Sequence, residues 1–200
     1  MPRHRGSSNQ RREEAIIVVL RLAAADSPDR ITTARISEEM GLSTGALFRH
    51  FPDKDALWEA VLCWVTARLD ESFAGCESGG GSSLQVLQEI FSAHLEFILE
   101  HPGVPRLIFA ELQRPNDTAA KRIVREFLGR HAERIRHWLE SGRAAGELRP
   151  DLDSQAAATL FIGCIQGLVM QALLNGDPDH LPRAAPGIFS LFRHSIAHQS

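Results

Sequence analysis

The amino-acid sequence predicts an all-α protein of about nine helices, with a three-helix N-terminal domain followed by a C-terminal helical bundle. Apolar residues recur at helical spacing along most of the chain. No stretch shows the sustained alternation of apolar and polar residues that is typical of a strand. Clusters of glycine, proline and serine fall between the helical segments, where helices must end.

Helix caps and helix breakers set the order of these elements. Thr33 is placed as the N-cap of a second, short helix, and Gly41 stands where a helix C-terminus needs a left-handed residue. Ser43 caps the next helix, Pro52 ends it, and Asp53 caps a long fourth helix. The predicted helices cover residues 13–25, 33–40, 43–51, 53–73, 84–100, 104–113, 117–145, 154–175 and 181–197.

Composition places the chain among ordinary globular proteins. Of its 200 residues, 44% are apolar and 24% are charged, which is typical of one or two small domains. The three cysteines form no CxxC motif or Cys/His cluster. We therefore predict no disulfide framework and no structural zinc site, and expect a reducing, cytoplasmic environment. The polar N-terminus lacks the apolar core of a secretory signal.

The longest apolar run, residues 156–174, approaches the length of a membrane span. Gln166 and Gln171 would then lie in the bilayer core, and the run lacks the basic flanks that orient a span. The sequence therefore favours a helix buried in protein, and we predict no membrane association.

Positive charge is concentrated at the N-terminus of a chain whose net charge is −3. Residues 1–12 contain Arg3, Arg5, Arg11 and Arg12 and no acidic residue. This asymmetry suits a protein that touches phosphate at one end only. We predict that residues 1–12 form a basic flexible arm.

Residues 31–57, ITTARISEEMGLSTGALFRHFPDKDAL, have the features of a helix-turn-helix. Such a motif needs a small residue where its two helices cross, a glycine at the turn and apolar residues that lock the helices. Ser37 is the small residue and Gly41 is the turn. The apolar lock is formed by Ile36, Met40, Leu42 and Leu47.

The second helix of this motif leaves five residues free to point outward. Arg49 can give two hydrogen bonds to a guanine edge, or one charge-assisted bond to a phosphate. Thr44 can donate to a base or a phosphate, and Ala46 can touch a thymine methyl group. Gly45 has no side chain, so backbone can approach backbone. His50 can donate or accept a hydrogen bond.

Thr33 and Lys54 flank this surface at two helix N-termini. Free N–H groups and the helix dipole favour a phosphate there, so the two residues are candidate phosphate clamps. A plain solvated surface is the alternative interpretation of Arg49 and His50. The complete spacing of the motif favours DNA binding over that alternative.

The run GLSTGALFRHFPDKDALWEAVL resembles the DNA-binding segment of the TetR family of transcriptional repressors. That family shows a glycine turn, a short recognition helix ending in an aromatic residue and His-Phe, then Lys-x-x-Leu opening helix four. The resemblance is specific over about residues 12–62. Phe48 departs from it, since many members carry a tyrosine whose hydroxyl contacts phosphate; Phe48 is left with a packing role. The matching residues are Thr33, Gly41, Ser43, Leu47, Phe48, His50, Phe51, Lys54 and Leu57.

The resemblance implies a homodimer that binds a palindromic DNA operator and releases it when a small ligand binds. A short recognition helix reads few bases, so useful specificity needs two copies about one DNA turn apart. The predicted domains are a helix-turn-helix domain at 13–60 and a ligand-binding and dimerisation domain at 61–200. The predicted DNA-binding residues are Thr33, Ser43, Thr44, Gly45, Ala46, Phe48, Arg49, His50 and Lys54.

The helix predicted at 154–175 carries Gly163 and Gly167 four residues apart. Small residues on one stripe permit close helix approach. From the residues alone this more often indicates tight packing inside one subunit, whereas the family resemblance implies a dimer interface built from the last two helices. The predicted interface residues are Leu160, Gly163, Gly167, Met170, Leu174, Ile188, Phe189, Phe192 and Ile196.

A ligand pocket is expected among helices five to eight, lined by apolar groups with a few polar ones. The same side chains are explained equally well as plain core. The candidates are Phe91, His94, Leu95, Ile98, Phe109, Ile123, Phe127, His131 and Phe161.

The sequence contains no HExxH, GxSxG, P-loop or dinucleotide-binding motif, so we predict neither an enzyme nor a cofactor. His194 and His198 lie four apart on a helix and could face a metal together. No carboxylate or cysteine lies near them in sequence, and we predict no metal site.

Two hypotheses follow. The first is a DNA-binding repressor that responds to a ligand. The second is a protein of the same fold that lost induction and acts as a constitutive DNA-binding or partner-binding module. A cavity of roughly several hundred Å³ in the C-terminal half would favour the first, and a filled core the second.

Overall fold

The computed structural model describes residues 8–198. This part of the chain folds into nine α-helices and contains no strand, which confirms the all-α prediction. An isolated β-bridge joins Leu148 to Ala197. The helices are α1 (Ser8–Ala25), α2 (Thr33–Glu39), α3 (Thr44–Phe48), α4 (Lys54–Ser78), α5 (Ser83–Glu100), α6 (Gly103–Gln113), α7 (Ala119–Ala144), α8 (Ser154–Asn175) and α9 (His180–Ile196).

Side-chain caps begin several of these helices. The Ser43 hydroxyl accepts a hydrogen bond from the Ala46 amide at 3.2 Å, and the Asp53 carboxylate accepts one from the Ala56 amide at 2.7 Å. Both caps were predicted. The prediction of Thr33 as the cap of α2 was wrong, because Thr32 has the extended backbone of an N-cap and accepts from the Arg35 amide.

Two helices are longer than their predicted ranges. α1 begins at Ser8 and not at Glu13, so Arg11 and Arg12 are helical, while Arg3 and Arg5 lie outside the described residues. α4 continues to Ser78 through part of the predicted loop. A Cβ at Gly75 would meet nothing within 4 Å. A single glycine lowers helix propensity without breaking a helix that is held elsewhere.

The chain divides into two compact units. The first contains the residues up to Ala67 together with His101–Arg125. In this unit α6 packs against α1, and the contact depends on a glycine. A Cβ at Gly103 would overlap the carbonyl oxygen of Leu20 and come within 2.9 Å of the Ala24 amide nitrogen. The two helices therefore approach backbone to backbone, as only glycine permits.

The second unit contains Arg68–Glu100 and the chain from Glu126 onward. Its core is aromatic: the ring of Phe91 lies 5.5 Å from that of Phe161 and 5.3 Å from that of Phe189. Phe192 completes the cluster, with its ring 5.4 Å from that of Phe161. These contacts join α5, α8 and α9.

α8 contains the long apolar run found in the sequence. Among the described helices it is the one that is long and apolar enough to cross a membrane, yet less than half of its most apolar stretch is buried in the chain. Phe161, Ile165 and Leu168 face the core, whereas Leu160 and Leu174 are exposed. One face of α8 thus packs in the core, as expected of a helix buried in protein, and one apolar face is left uncovered by the chain itself.

Candidate nucleic-acid interface and ligand cavity

α2 and α3 are locked together by the residues predicted for a helix-turn-helix. Ser37 is buried, and its hydroxyl donates to the Thr33 carbonyl at 2.8 Å, so this small polar residue is satisfied within its own helix. Ile36 and Leu47 are also buried. Gly41 has a φ of +62°, which lets the chain turn sharply between the helices.

The outward residues of α3 form one surface of the first unit. Gly45 and Arg49 are exposed, and Thr44, Ala46 and His50 are half-buried. A Cβ at Gly45 would meet nothing within 4 Å, so the fold itself does not require a glycine there. The Ser8 hydroxyl lies 3.4 Å from His50 Nδ1.

Phe48 lies on the surface, whereas the sequence predicted a packing role for it. The packing role is corrected, because 43% of its side chain is exposed, whereas the adjacent Leu47 is buried. Phe48 therefore adds a flat apolar group to the outward surface of α3. An exposed aromatic ring there is available for contact with a thymine methyl group or a sugar.

Ser43 and Lys54, beside α3, already make contacts within the fold. Ser43 caps α3, and Thr33 is half-buried in the first turn of α2. Lys54 Nζ lies 4.8 Å above the ring of Trp58 and 3.4 Å from the Pro28 carbonyl oxygen. Burial lowers the pKa of Lys54, with Asp29 acting in the opposite direction. Lys54 is thus a half-buried cation that the fold holds in place.

Two further arginines belong to the same unit. Arg12 was predicted only as part of the basic arm, and Arg30 was not singled out from the sequence. The Arg12 guanidinium lies 4.5 Å above the Phe51 ring and donates to the His50 carbonyl, so it ties α1 to the end of α3. Arg30 is 78% exposed, and its ion pair with Asp26 is long at 3.9 Å. Its position just before α2 was the available signal, since a cation there lies near a helix N-terminus.

The predicted pocket residues fall into both compact units. Phe109 and Ile123 belong to the first unit and the other seven to the second. In the second unit His131 is fully buried, with its ring stacked 4.7 Å from that of Phe73 and 5.8 Å from that of Phe127. The His94 ring lies 5.5 Å from that of His131. Ile98 is buried.

Three ring nitrogens of these two histidines lack hydrogen-bond partners among the described residues. Both ring nitrogens of His131 and Nδ1 of His94 are buried and unpaired. Burial lowers the pKa of His131 to about 3, helped by the nearby His94 and Arg134, and burial alone lowers the pKa of His94 to about 4. Both imidazoles are therefore neutral at pH 7.

A cavity of about 370 Å³, half open to solvent, lies between α5 and α9 in the second unit. Phe91 and Leu95 line it, and they are the two members of the predicted pocket that do so. The other lining residues are Gln88, Ser92, Glu96, Leu99, Pro182, Ala185, Pro186, Phe189, Ser190 and Arg193.

The predicted dimer residues divide into a surface group and a core group. Gly163 and Gly167 are exposed, and a Cβ at either would meet nothing within 4 Å, so tight packing inside the subunit does not explain them. Leu160, Met170 and Leu174 are exposed beside them, whereas Ile188 is half-buried. We correct the surface placement of Phe189, Phe192 and Ile196, because these side chains are buried in the aromatic core.

The α9 surface carries one apolar group that the prediction missed, since 70% of the Leu191 side chain is exposed. Near it, the carbonyl of Ser190 lies 2.6 Å from His194 Nδ1, which leaves that nitrogen occupied. Among residues 8–198, no three His, Cys, Asp or Glu side chains are grouped as a metal ion would need.

Family models match both parts of the chain. "Bacterial regulatory proteins, tetR family" matches residues 19–61, and "Tetracyclin repressor-like, C-terminal domain" matches residues 110–188. Together they cover more than half of the chain. The chain belongs to the TetR family. It is accordingly a DNA-binding regulator of that family.

Solved structures of other transcriptional regulators share this fold. The ketosteroid transcriptional regulator KstR2 of Mycobacterium tuberculosis superposes with a TM-score of 0.78 at 19% identity, over 96% of this chain and 97% of its own. The regulator FadR from Bacillus subtilis, solved with stearoyl-CoA, gives a TM-score of 0.76 at 16% identity, over 90% and 96%.

Among curated relatives, the nucleoid occlusion factor SlmA of Marinobacter nauticus is 25% identical over 164 residues, which is 80% of this chain and 83% of that protein.

Proposed function

We propose that this TetR-family regulator is a cytoplasmic repressor that binds a palindromic operator as a homodimer and releases it when a small-molecule effector binds. The exposed face of α3 carries the DNA-binding part of the proposal. Gly45 and Arg49 are exposed there, and the glycine serves no contact within the fold. The Arg49 guanidinium suits a base edge in the major groove, and the Gly45 backbone, which has no side chain, can approach the DNA backbone closely.

Arg49 is assigned to base contact, and Lys54 and Arg30 to phosphate. Ser43 and Thr33 are placed nearby, where their backbone N–H groups open short helices. Thr44, Ala46, Phe48 and His50 complete the proposed contact surface.

The homodimer is supported by the uncovered face of α8. Leu160, Gly163, Gly167, Met170 and Leu174 share this face and are exposed. A continuous apolar stripe of this kind marks an interaction surface. Glycines with open space above them let a second helix approach closely.

The effector is supported by the cavity between α5 and α9. Its volume of about 370 Å³ lies within the range of small-molecule sites. Of two neighbours of the same fold, one is named a ketosteroid regulator and the other was solved with stearoyl-CoA, and both of these compounds carry a large apolar part. A filled core would have favoured the constitutive alternative.

A gel shift on the DNA upstream of the protein's own reading frame tests the proposal. Arg49→Ala should cost about 1–3 kcal/mol on the preferred sequence and relax the preference. Lys54→Met should weaken binding to all sequences alike and reduce the salt slope by about one. Arg125→Ala, the same loss of charge on an exposed residue of α7, is the matched control.

Absence of any shift at low salt would contradict the proposal, because the phosphate contribution to binding persists there. If both variants lost only nonspecific affinity, the assignment of Arg49 to a base would be wrong.

Constitutive DNA binding is the second candidate, favoured by the likeness to a nucleoid occlusion factor over 80% of the chain. Chromatin immunoprecipitation separates the two. Sites confined to a few promoters support a repressor, whereas many sites dispersed over the chromosome support the second candidate.

A further inference from the structure

The contacts of His131 and His94 in the second unit do not explain why histidine occupies these two positions. Both nitrogens of His131 are without a partner among the described residues, although its side chain is fully buried. Buried polar groups are nearly always hydrogen-bonded, and an unpaired one carries the cost of its lost hydration. Phenylalanine would fill the same stacked position without that cost.

The surroundings of the pair are aromatic. Phe73 from α4, Phe127 from α7 and Phe161 from α8 face the imidazole of His131. The charged group that acts on it is Arg134, which is itself paired with Asp70 at 3.0 Å and Glu77 at 3.2 Å. Asp70 and Glu77 are therefore engaged by Arg134 and are not available to hold a protonated His131.

Two aromatic rings, those of Phe91 and Phe161, connect the cavity between α5 and α9 to the histidine pair. Phe91 lines the cavity, and its ring is 5.5 Å from that of Phe161. The ring of Phe161 is in turn 6.3 Å from that of His131. Rotation of both the Phe91 and the Phe161 side chains would be needed for the end of a ligand in the cavity to reach the two imidazoles.

We propose that the ligand of this cavity is an amphipathic carboxylic acid, with its apolar chain between α5 and α9 and its carboxylate bound by His131 and His94. This inference rests on the effector response proposed above. The imidazoles supply N–H donors to the carboxylate oxygens. The carboxylate supplies the negative charge that the pair lacks.

The charge on the ligand has a measurable consequence. At pH 7 the acid arrives ionised and the imidazoles are neutral. One proton from solvent then adds to a nitrogen of the pair, and an imidazolium–carboxylate ion pair forms. Binding therefore takes up as much as one proton per ligand and tightens as the pH falls.

Metal binding by the pair is disfavoured. The described residues offer no third His, Cys, Asp or Glu beside the two histidines. A cationic group at the histidine pair would be repelled by Arg134, whose neighbouring acids Asp70 and Glu77 are already paired with it. A neutral alcohol can hydrogen-bond to one nitrogen but brings no charge to hold a proton.

Calorimetry with sodium decanoate, decanol and decylamine on the full-length protein tests the inference. Titrations in buffers of different ionisation enthalpy measure proton uptake directly. We expect decanoate to bind with uptake of a proton, and more tightly than decanol or decylamine. His131→Phe keeps the aromatic stacking and should weaken decanoate binding about tenfold to a hundredfold and abolish the uptake.

His137→Gln, on the exposed side of the same helix, is the matched control and should bind decanoate as the unaltered protein does. Thermal unfolding verifies that both variants fold. Equal affinity for decanoate and decanol, or unchanged decanoate binding by His131→Phe, would overturn the inference.

A gel shift in the same samples distinguishes this inference from the proposed function. Release of the operator by another class of compound, with no binding of decanoate, defeats the inference and leaves the effector response standing. Failure to bind DNA at all defeats the proposed function, whatever decanoate does.

Discussion

Gly45 occupies a helix position where alanine would be the better residue for folding. It lies in α3 with an ordinary backbone, and a Cβ would meet nothing within 4 Å. Gly45→Ala should therefore raise the free energy of unfolding by about 0.5–1 kcal/mol. If the bare backbone approaches DNA, the same change should cost about tenfold or more in operator affinity, equivalent to about 1.4 kcal/mol. Urea unfolding and gel shift measure the two effects, and unaltered DNA affinity would argue that α3 does not approach DNA there.

His131 makes the stability of the second unit depend on pH. Its pKa is about 3 in the folded protein, against an ordinary value of 6.5. Between pH 6.5 and pH 3 this histidine is protonated in the unfolded chain but neutral in the folded chain. The free energy of unfolding is therefore highest above pH 6.5 and decreases as the pH is lowered. The free energy of unfolding decreases by up to about 1.4 kcal/mol for each pH unit in this range. His94 behaves alike down to about pH 4.

His131→Phe should therefore flatten the fall in stability between about pH 6.5 and 4. Urea denaturation at a series of pH values checks this, with His137→Gln as the control. A parallel pH profile for His131→Phe and the unaltered protein would show that His131 is hydrated in solution.

At the level of helices, the sequence predicted what local chemistry determines. Gly41, Ser43 and Asp53 act within one turn of their own positions, and each was placed correctly. Thr32 and Thr33 are adjacent and chemically identical. Which one caps α2 depends on a single pair of backbone angles, and the pattern does not contain them.

The residues whose burial was predicted wrongly are those whose burial depends on tertiary packing. Phe48 and Leu47 are neighbouring apolar residues, and only contact with the other helices selects Leu47 for the core. The sequence pattern likewise does not decide which apolar residues of α9 lie in the core and which lie on the surface. Phe189 and Phe192 are buried because α5 and α8 present aromatic rings to them.

The contact of α1 with α6 depends on Gly103. A side chain there would overlap the backbone of α1, so Gly103→Ala should lower the free energy of unfolding by about 1–3 kcal/mol. Gly129→Ala in α7 is the matched control. Its Cβ would meet nothing within 4 Å, and the change should stabilise by about 0.5–1 kcal/mol. Thermal unfolding of both variants measures the difference, and equal effects would contradict the close approach.

At the scale of the whole molecule, the uncovered face of α8 predicts self-association. Gly167→Arg places a charged side chain in the middle of this face, and the chain itself has room for it. Light scattering should give the mass of one chain for this variant and of two for the unaltered protein. Gly129→Arg, at an exposed glycine of α7, should remain dimeric. A dimeric Gly167→Arg would remove α8 from the interface.

The open stripe on α8 also bears on how much of the protein a cell must make. If two chains join there, operator occupancy rises with the square of the chain concentration while monomers predominate. A modest change in copy number then produces a disproportionate change in repression. Substitutions along α8 would change the protein concentration needed to repress a promoter, although none of the residues that face DNA is altered.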